Sequence, residues 1–470
     1  MRAAGRLAVV LGLFGGVAAH AAEPLSLPPP AVVTPPPAGK GLVDQTDPSL
    51  PAGYVEEEFV VSGEGRIFGY DEAGEARVIK DREPWSTRVI VRRPADPRRF
   101  SGWAFVEPMH PELGRSFAWR ASEDYFARRG DVWIGITTTR NLILYGEGDP
   151  IAKLKRTDPV RYAWLGMGSG GREGGLNWDV IASVGRLAKA GDLTGPLRVR
   201  KTMIGGWSGS GALTLFFANT FHARERLPGG DPIFDAVLLG EPGWYPRINA
   251  DSGDLMPYDV RQRPARLDVP VISVNSSAAI EFGMPFRPRA DSDAPQERYR
   301  AYEVAGADHR GSRDPMGGDL TKLCGAAQSD FPLHHYYSLA IEHLKAWSDR
   351  NAAPPPSQPI VIDRYGYVVK DAAGNASGGL RSTRLDVPVA RYYQTHEAPK
   401  VACRGGGRMD PFPRDELVRR YRDHQGYLAQ VRTRAAALVR EGRLLREDAA
   451  EVIAEAETFR GFDAAQRRAR

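Results

Sequence analysis

The stretch Gly206-Trp-Ser-Gly-Ser-Gly211 constrains this chain more than any other. It follows a run carrying Val199, Thr202 and Ile204 and precedes an apolar, helix-like run from Ala212 to Ala218. A strand, an abrupt turn bearing a serine and then a helix N-terminus is the setting that presents a serine hydroxyl as a nucleophile. Small residues flank such a serine because the backbone turns sharply and packs close to its neighbours. The N–H of Gly209, directly after Ser208, is expected to point where an oxyanion forms, and the dipole of the following helix favours that charge. Ser210 stands where G-x-S-x-G has its second glycine, and a serine is small enough to fit. The competing reading is a glycine-rich turn without chemistry.

Around this turn the chain alternates between buried-type strands and helices. Asp131–Thr137, Leu197–Ile204, Phe234–Leu239, Val269–Val274 and Tyr299–Val304 read as strands. Asp131–Thr137 is nearly continuous in apolar residues, as the centre of a parallel sheet requires. Ser122–Arg129, Trp178–Ala188 and His335–Trp347 read as helices. Such alternation predicts an α/β fold, a mostly parallel central sheet with helices on both faces. Ligands in these sheets bind at the carboxyl ends of the strands, where Ser208 and His309 both fall. Upstream, Tyr54–Val61 and Arg66–Tyr70 read as strands joined by a turn at Ser62–Gly65, with another strand over Ser86–Arg93, forming an N-terminal β extension. Residues 354–470 change character: an irregular glycine- and proline-rich part, then helices over 413–460 with a break at Gly442. The expected division is a signal peptide over 1–21, a proline-rich linker over 22–49, a core over 50–353 and a C-terminal extension over 354–470.

The first residues define the compartment. Arg2 and Arg6, an apolar core from Leu7 to Val17 and Ala19-His-Ala21 have the order of a cleavable secretory signal. Pro28–Gly39 reads as a disordered tether. No later segment offers about 18 consecutive apolar residues, so no membrane span is expected. The formal net charge of +5 includes Arg2 and Arg6, and the remaining basic residues are scattered among acidic ones. That pattern gives no nucleic-acid footprint. The two cysteines, Cys324 and Cys403, are compatible with one disulfide in an exported protein, the alternative being two separate buried thiols.

A nucleophilic serine needs a base, and the base needs an orienting acid. Of the nine histidines, His309 sits in a Gly-Ala-Asp-His loop directly after the Tyr299–Val304 strand. His222 follows the serine too soon, and His334, His335 and His343 lie in a helical stretch. His335 has no metal-ligand spacing to Glu342 or His343, so no metal site is expected. Two glutamates compete for the acid. Glu241 directly follows the Phe234–Leu239 strand and Gly240, whereas Glu281 lies in the loop after Val269–Val274. A carboxylate at a strand end is held by rigid backbone, which favours Glu241. A second oxyanion donor is expected from the backbone N–H groups of Met109 and His110, since Pro111 has none. Trp207, Trp244 and Tyr245 are candidates for an aromatic wall. Gly166-Met-Gly-Ser-Gly-Gly171 matches G-x-G-x-x-G as a string but does not open a helix after a buried strand, so it reads as a loop near the site's mouth.

Several stretches together resemble one bacterial family of α/β-hydrolase domain proteins. They are TRVIVRRPADPRRFSGWAFVE ending at Glu107, the GWSGSG turn, DSDAPQERYRAYEVAGADH ending at His309, and LRSTRLDVPVARY ending at Tyr392. Cys403 with the following Asp-Pro-Phe, and YLAQVRTRAAALVREGRLLREDA from Tyr427, belong to the same set. The resemblance covers most of the chain after about residue 50. It implies an α/β-hydrolase fold with Ser208 as nucleophile and His309 as base. The family often carries acidic residues just after Asn275-Ser276, where this chain has Ser277, Ala278 and Ala279. Some α/β-hydrolases place the acid at the preceding strand end, which is Glu241 here. The resulting expectation is an exported serine hydrolase acting on a small-molecule or polymer-derived ester, with no cofactor. Amide or lactone hydrolysis is the alternative within enzymes. A catalytically silent envelope- or carbohydrate-binding protein on the same fold is the alternative outside them.

Overall fold

The computed structural model describes residues 25–39, 50–139, 149–170, 173–243, 245–253, 255–256, 259–283, 288–313, 324–396, 403 and 405–463. The signal peptide read over residues 1–21 and Trp244 lie outside the described residues.

Ten strands make one sheet: β1 (Val32–Thr34), β2 (Tyr54–Tyr70), β3 (Ala76–Pro94), β4 (Trp103–Pro108), β5 (Val132–Ile136), β6 (Gly166–Met167), β7 (Lys201–Trp207), β8 (Ala236–Gly240), β9 (Val271–Ser276) and β10 (Tyr299–Val304). Their spatial order is β1-β2-β3-β5-β4-β7-β8-β9-β10, with β6 paired to β3. From β5 through β10 every pairing on this path is parallel. The β1, β2 and β3 pairings are antiparallel and form the N-terminal extension. In β5 and β8 every residue is buried, because helices cover both faces of the sheet. Side-chain alternation divides the core in two. Val132, Ile134, Val237 and Leu239 pack with the helices α3 (Asn177–Ala190) and α4 (Gly209–Thr220). Trp133 and Leu238 pack on the other face with α1 (Ala118–Arg129) and α6 (Leu333–Arg350), α2 (Pro150–Thr157) and α5 (Ser277–Glu281) lying between these in sequence.

Three expectations need correction. Ser62–Gly65 is not a turn: β2 is one strand of 17 residues, with a register shift between Gly65 and Ile67. Its glycines serve a close approach, since a Cβ on Gly63 or Gly65 would come within 3.0–3.1 Å of the Trp85 ring. Pro28–Gly39 is not a free tether either. Val32–Thr34 pairs with Val60–Ser62, and the Leu25 N–H donates to the Arg224 carbonyl at 3.1 Å. An outer strand of this length presents an unpaired backbone edge, and a short proline-bracketed segment covers it. Gly166–Met167 is a short strand on β3 opposite Trp85 and Ser86, not a loop.

Beyond α6 the chain returns to the sheet edge. The Leu380 N–H donates to the Glu303 carbonyl, and the Ala305 N–H to the Leu380 carbonyl. There follow α7 (Thr383–Asp386), the hairpin strands β11 (Ala390–Tyr393) and β12 (Arg408–Pro411), and the helices α8 (Arg414–Tyr421), α9 (His424–Arg440) and α10 (Arg446–Thr458). Gly442, at φ +67°, separates the last two. Cys324 and Cys403 form a disulfide with Cα atoms 5.7 Å apart. Among the described residues no helix is long and apolar enough to cross a membrane.

Candidate active site

Ser208 stands at the carboxyl end of β7 with φ +57° and ψ −120°, a conformation that a non-glycine residue adopts only under constraint. The constraint is visible on both sides. The Ser208 N–H donates to the Gly240 carbonyl (3.0 Å), and the Ser208 carbonyl accepts from the Ala212 N–H as α4 begins (2.8 Å). A Cβ on Gly206 would lie 2.5 Å from the Ser210 Cβ and 2.6 Å from its backbone carbonyl carbon, so glycine at 206 lets the turn close against residue 210. A Cβ on Gly209 would lie 2.8 Å from His110 Nε2, so the imidazole of His110 is seated directly beside the N-terminus of α4.

His309 sits on the loop after β10, with its side chain 21% exposed. Its Nε2 lies 3.0 Å from Ser208 Oγ and its Nδ1 lies 2.5 Å from Glu241 Oε1. A carboxylate facing Nδ1 fixes the proton there, leaving Nε2 to accept from the serine hydroxyl. The loop is anchored by Asp308, whose buried carboxylate accepts the N–H groups of Arg310, Gly311 and Gly407. Gly407 belongs to the C-terminal extension, so the extension holds the histidine loop. Burial raises the Asp308 carboxyl above its ordinary pKa, while those three backbone donors and His309 work against the rise.

Glu241 extends β8 by one residue and is 1% exposed. It has φ +37°, a second non-glycine residue in the left-handed region beside the serine. Its N–H donates to the Val274 carbonyl (2.8 Å), and its second oxygen, Oε2, accepts the Ser276 N–H (2.9 Å). Glu281, at the end of α5, is not brought to the histidine. It bonds Lys370 (3.1 Å) and Thr395 (2.9 Å) instead. Where an acid after β9 would stand, Ser277 Oγ donates to the Ala307 carbonyl (3.1 Å) and accepts the Gly306 N–H (3.0 Å).

The expectation for the second oxyanion donor also needs correction. The Met109 N–H is committed to the Ile136 carbonyl (2.9 Å) and the His110 N–H to the Arg115 carbonyl (3.0 Å). The loop after β4 folds back tightly enough to satisfy its own backbone. What it offers is a side chain. The N–H groups of Glu112 (3.2 Å) and Leu113 (3.3 Å) both donate to His110 Nδ1, which must therefore be the unprotonated nitrogen. Nε2 then carries the proton, and Nε2 is the atom beside Gly209. Burial, with Arg115 and His309 nearby, pushes the His110 pKa down to about 3 and keeps the ring neutral. No sequence pattern signalled this tautomer.

Trp207 and Arg310, the chain neighbours of Ser208 and His309, line an open cleft together with Phe117, Leu333, His334 and Tyr337. Trp207 also donates its indole N–H to the His309 carbonyl (2.8 Å). Tyr245 packs on Phe216 at a ring separation of 4.7 Å, within the core.

The family profile described as an alpha/beta hydrolase domain matches residues 32–454. The chain belongs to that family, and its strand order and the serine turn after β7 accord with the assignment. Curated proteins give no match to the sequence. Among solved structures the chain is similar to a fungal esterase from Rhizomucor miehei, at 10% identity and a TM-score of 0.35, over 65% of this chain and 87% of that one. It is similar also to the esterase Est22, at 13% identity and a TM-score of 0.27, over 51% of this chain and 72% of that one.

Proposed function

We propose that this chain is a serine hydrolase cleaving carboxylic esters with Ser208, His309 and Glu241. The observation that carries the reading is the continuous relay from Ser208 Oγ to His309 Nε2 and from His309 Nδ1 to Glu241, built on three separate strand ends. Ser208 Oγ attacks the ester carbonyl while His309 Nε2 takes its proton. Glu241 holds the ring in the required tautomer and stabilises the imidazolium as it forms. The oxyanion is held by the Gly209 N–H at the start of α4, where backbone donors have no intrahelical acceptor. The neutral Nε2–H of His110 is the second donor. Collapse of the tetrahedral species passes the proton from His309 to the leaving alcohol, and water deacylates Ser208 by the same route in reverse.

The family assignment supports hydrolysis and the disulfide supports an oxidising compartment, so we read the chain as exported, with residues 1–21 as its signal. Residues 50–353 are then the catalytic core, and the 354–470 extension braces the His309 loop through Gly407. Steady-state hydrolysis of 4-nitrophenyl acetate and butyrate by the wild type beside Ser208→Ala tests the proposal. Turnover by the wild type and a loss of at least about 10⁴-fold in the variant is expected. A folded wild type inert to esters, amides and lactones would instead support a binding protein that kept the fold.

A further inference from the structure

We infer that His334, His335 and Glu451 form a binding site for a divalent transition ion of the zinc class, joining the C-terminal helix α10 to the core helix α6 at the rim of the cleft. The two histidines are adjacent in the first turn of α6, with ring centroids 4.2 Å apart. Glu451 comes from α10 and lies between them. Its Oε1 is 3.6 Å from His334 Nε2 and its Oε2 is 3.5 Å from His335 Nε2. All three residues offer ligand atoms within 4.8 Å of one another.

Those separations are longer than hydrogen bonds and match the spacing of two ligands on one ion. An N–H···O hydrogen bond closes to about 2.7–3.2 Å, and none of the three nitrogens left over here achieves one. His334 Nδ1 and Nε2 and His335 Nε2 are buried without a hydrogen-bond partner, in side chains 11% and 3% exposed. Two ligand atoms bound tetrahedrally at about 2.0–2.1 Å from zinc stand about 3.3 Å apart, close to the two distances found. Two imidazoles and one carboxylate are also a donor set that zinc favours, and three protein ligands leave one coordination position open. His334 lines the cleft, so that position has a route for water or a small ligand.

The charges nearby can accommodate the ion. Arg313 contacts Glu451 Oε1 at 3.3 Å, but it also holds Asp124 at 2.7 Å and keeps that partner if it yields to a metal. Asp448, one turn before Glu451 on α10, has one oxygen on Arg128 (2.9 Å) and a second, Oδ2, buried without a partner. The site lies outside the proposed relay, and hydrolysis does not require it. Its effect would be to staple the extension to the core. The spacing of the sequence hides it, because its carboxylate comes from a helix far along the chain.

Metal-stripped full-length protein titrated with zinc chloride tests the inference, read by calorimetry and by thermal unfolding. One equivalent should bind and raise Tm by several degrees, and Glu451→Gln should weaken binding by more than about a hundredfold, beyond the loss typical of an outer-shell partner. His309→Ala should bind zinc as the wild type does. Should Glu451→Gln misfold by circular dichroism, His334→Ala at the helix start provides the same comparison. Absence of stoichiometric binding, equal affinity in wild type and Glu451→Gln, or loss of binding in His309→Ala would each overturn the inference.

Discussion

The neighbouring ends of β8 and β9 lie side by side in one sheet and do different work. They run parallel in register, with Gly240 opposite Val274. β8 continues into Glu241, whose φ of +37° turns a buried carboxylate toward His309. A non-glycine residue held there costs about 1–3 kcal/mol, which the surrounding structure must offset. β9 ends in Ser276 and continues into Ser277, neither of which carries a charge. Instead, the Ser276 N–H steadies Glu241 Oε2, and the Ser277 hydroxyl joins the start of α5 to the Gly306–Ala307 bend that leads to His309. In the proposed triad one strand end supplies the acid and the other the frame, because the rigid backbone after β8 aims the Glu241 carboxylate at His309.

This division can be broken at its strongest point first. Glu241→Gln keeps the shape but donates to, or fails to accept from, Nδ1, and should lower kcat by about 10³–10⁴-fold with folding intact by circular dichroism. A rate near wild type would remove Glu241 from the relay. Next in size, His110→Ala should cost about 10²–10³-fold in kcat with little change in KM, because its donor acts on the oxyanion alone. The same residue gives a pH signature. Its folded pKa of about 3 lies below the ordinary 6.5, so the unfolded chain binds the proton more readily. Its stabilising contribution is full above pH 6.5 and is lost as pH falls toward 3. The Tm of His110→Ala should therefore fall less than that of the wild type between pH 7 and 4, and parallel Tm curves would contradict the buried neutral ring.

Ser277→Ala sharpens the comparison from the other side. It removes the hydroxyl that ties Gly306 and Ala307, and should reduce kcat by about 3–10-fold and stability by about 1–3 kcal/mol in urea unfolding. A loss as large as that of Glu241→Gln would mean that β9 carries more than the frame. The smallest effect belongs to Glu281→Gln, whose side chain is engaged with Lys370 and Thr395 at the surface. It should keep its rate within about twofold, in line with an exposed pair of little energetic consequence.

How far the sequence reached follows from how local each signal is. The serine turn, the buried β5 and β8 runs and the loop bearing His309 are short-range patterns of residue size and polarity, and they stand where they were expected. The preference for Glu241 over Glu281 followed from the strand end, together with the resemblance to hydrolases that carry an acid there. The Ser62–Gly65 reading failed because glycine in a strand and glycine in a turn look alike until Trp85 is placed against it. The Met109 and His110 backbone donors failed because their acceptors, Ile136 and Arg115, come from the tertiary path of the loop. His110 as a side-chain donor depends on a tautomer set by two backbone N–H groups, for which no residue pattern exists. The docked Val32–Thr34 strand was hidden by prolines that resemble a linker's.

The most direct test of the central claim is to locate the nucleophile. Folded full-length protein is treated with a fluorophosphonate, and the adduct is mapped by mass spectrometry of tryptic peptides. The account predicts one adduct per chain on Ser208, slowed in proportion to the lost rate in Glu241→Gln and unchanged in Glu281→Gln. An adduct on another serine, or a folded protein that takes up none, would contradict it.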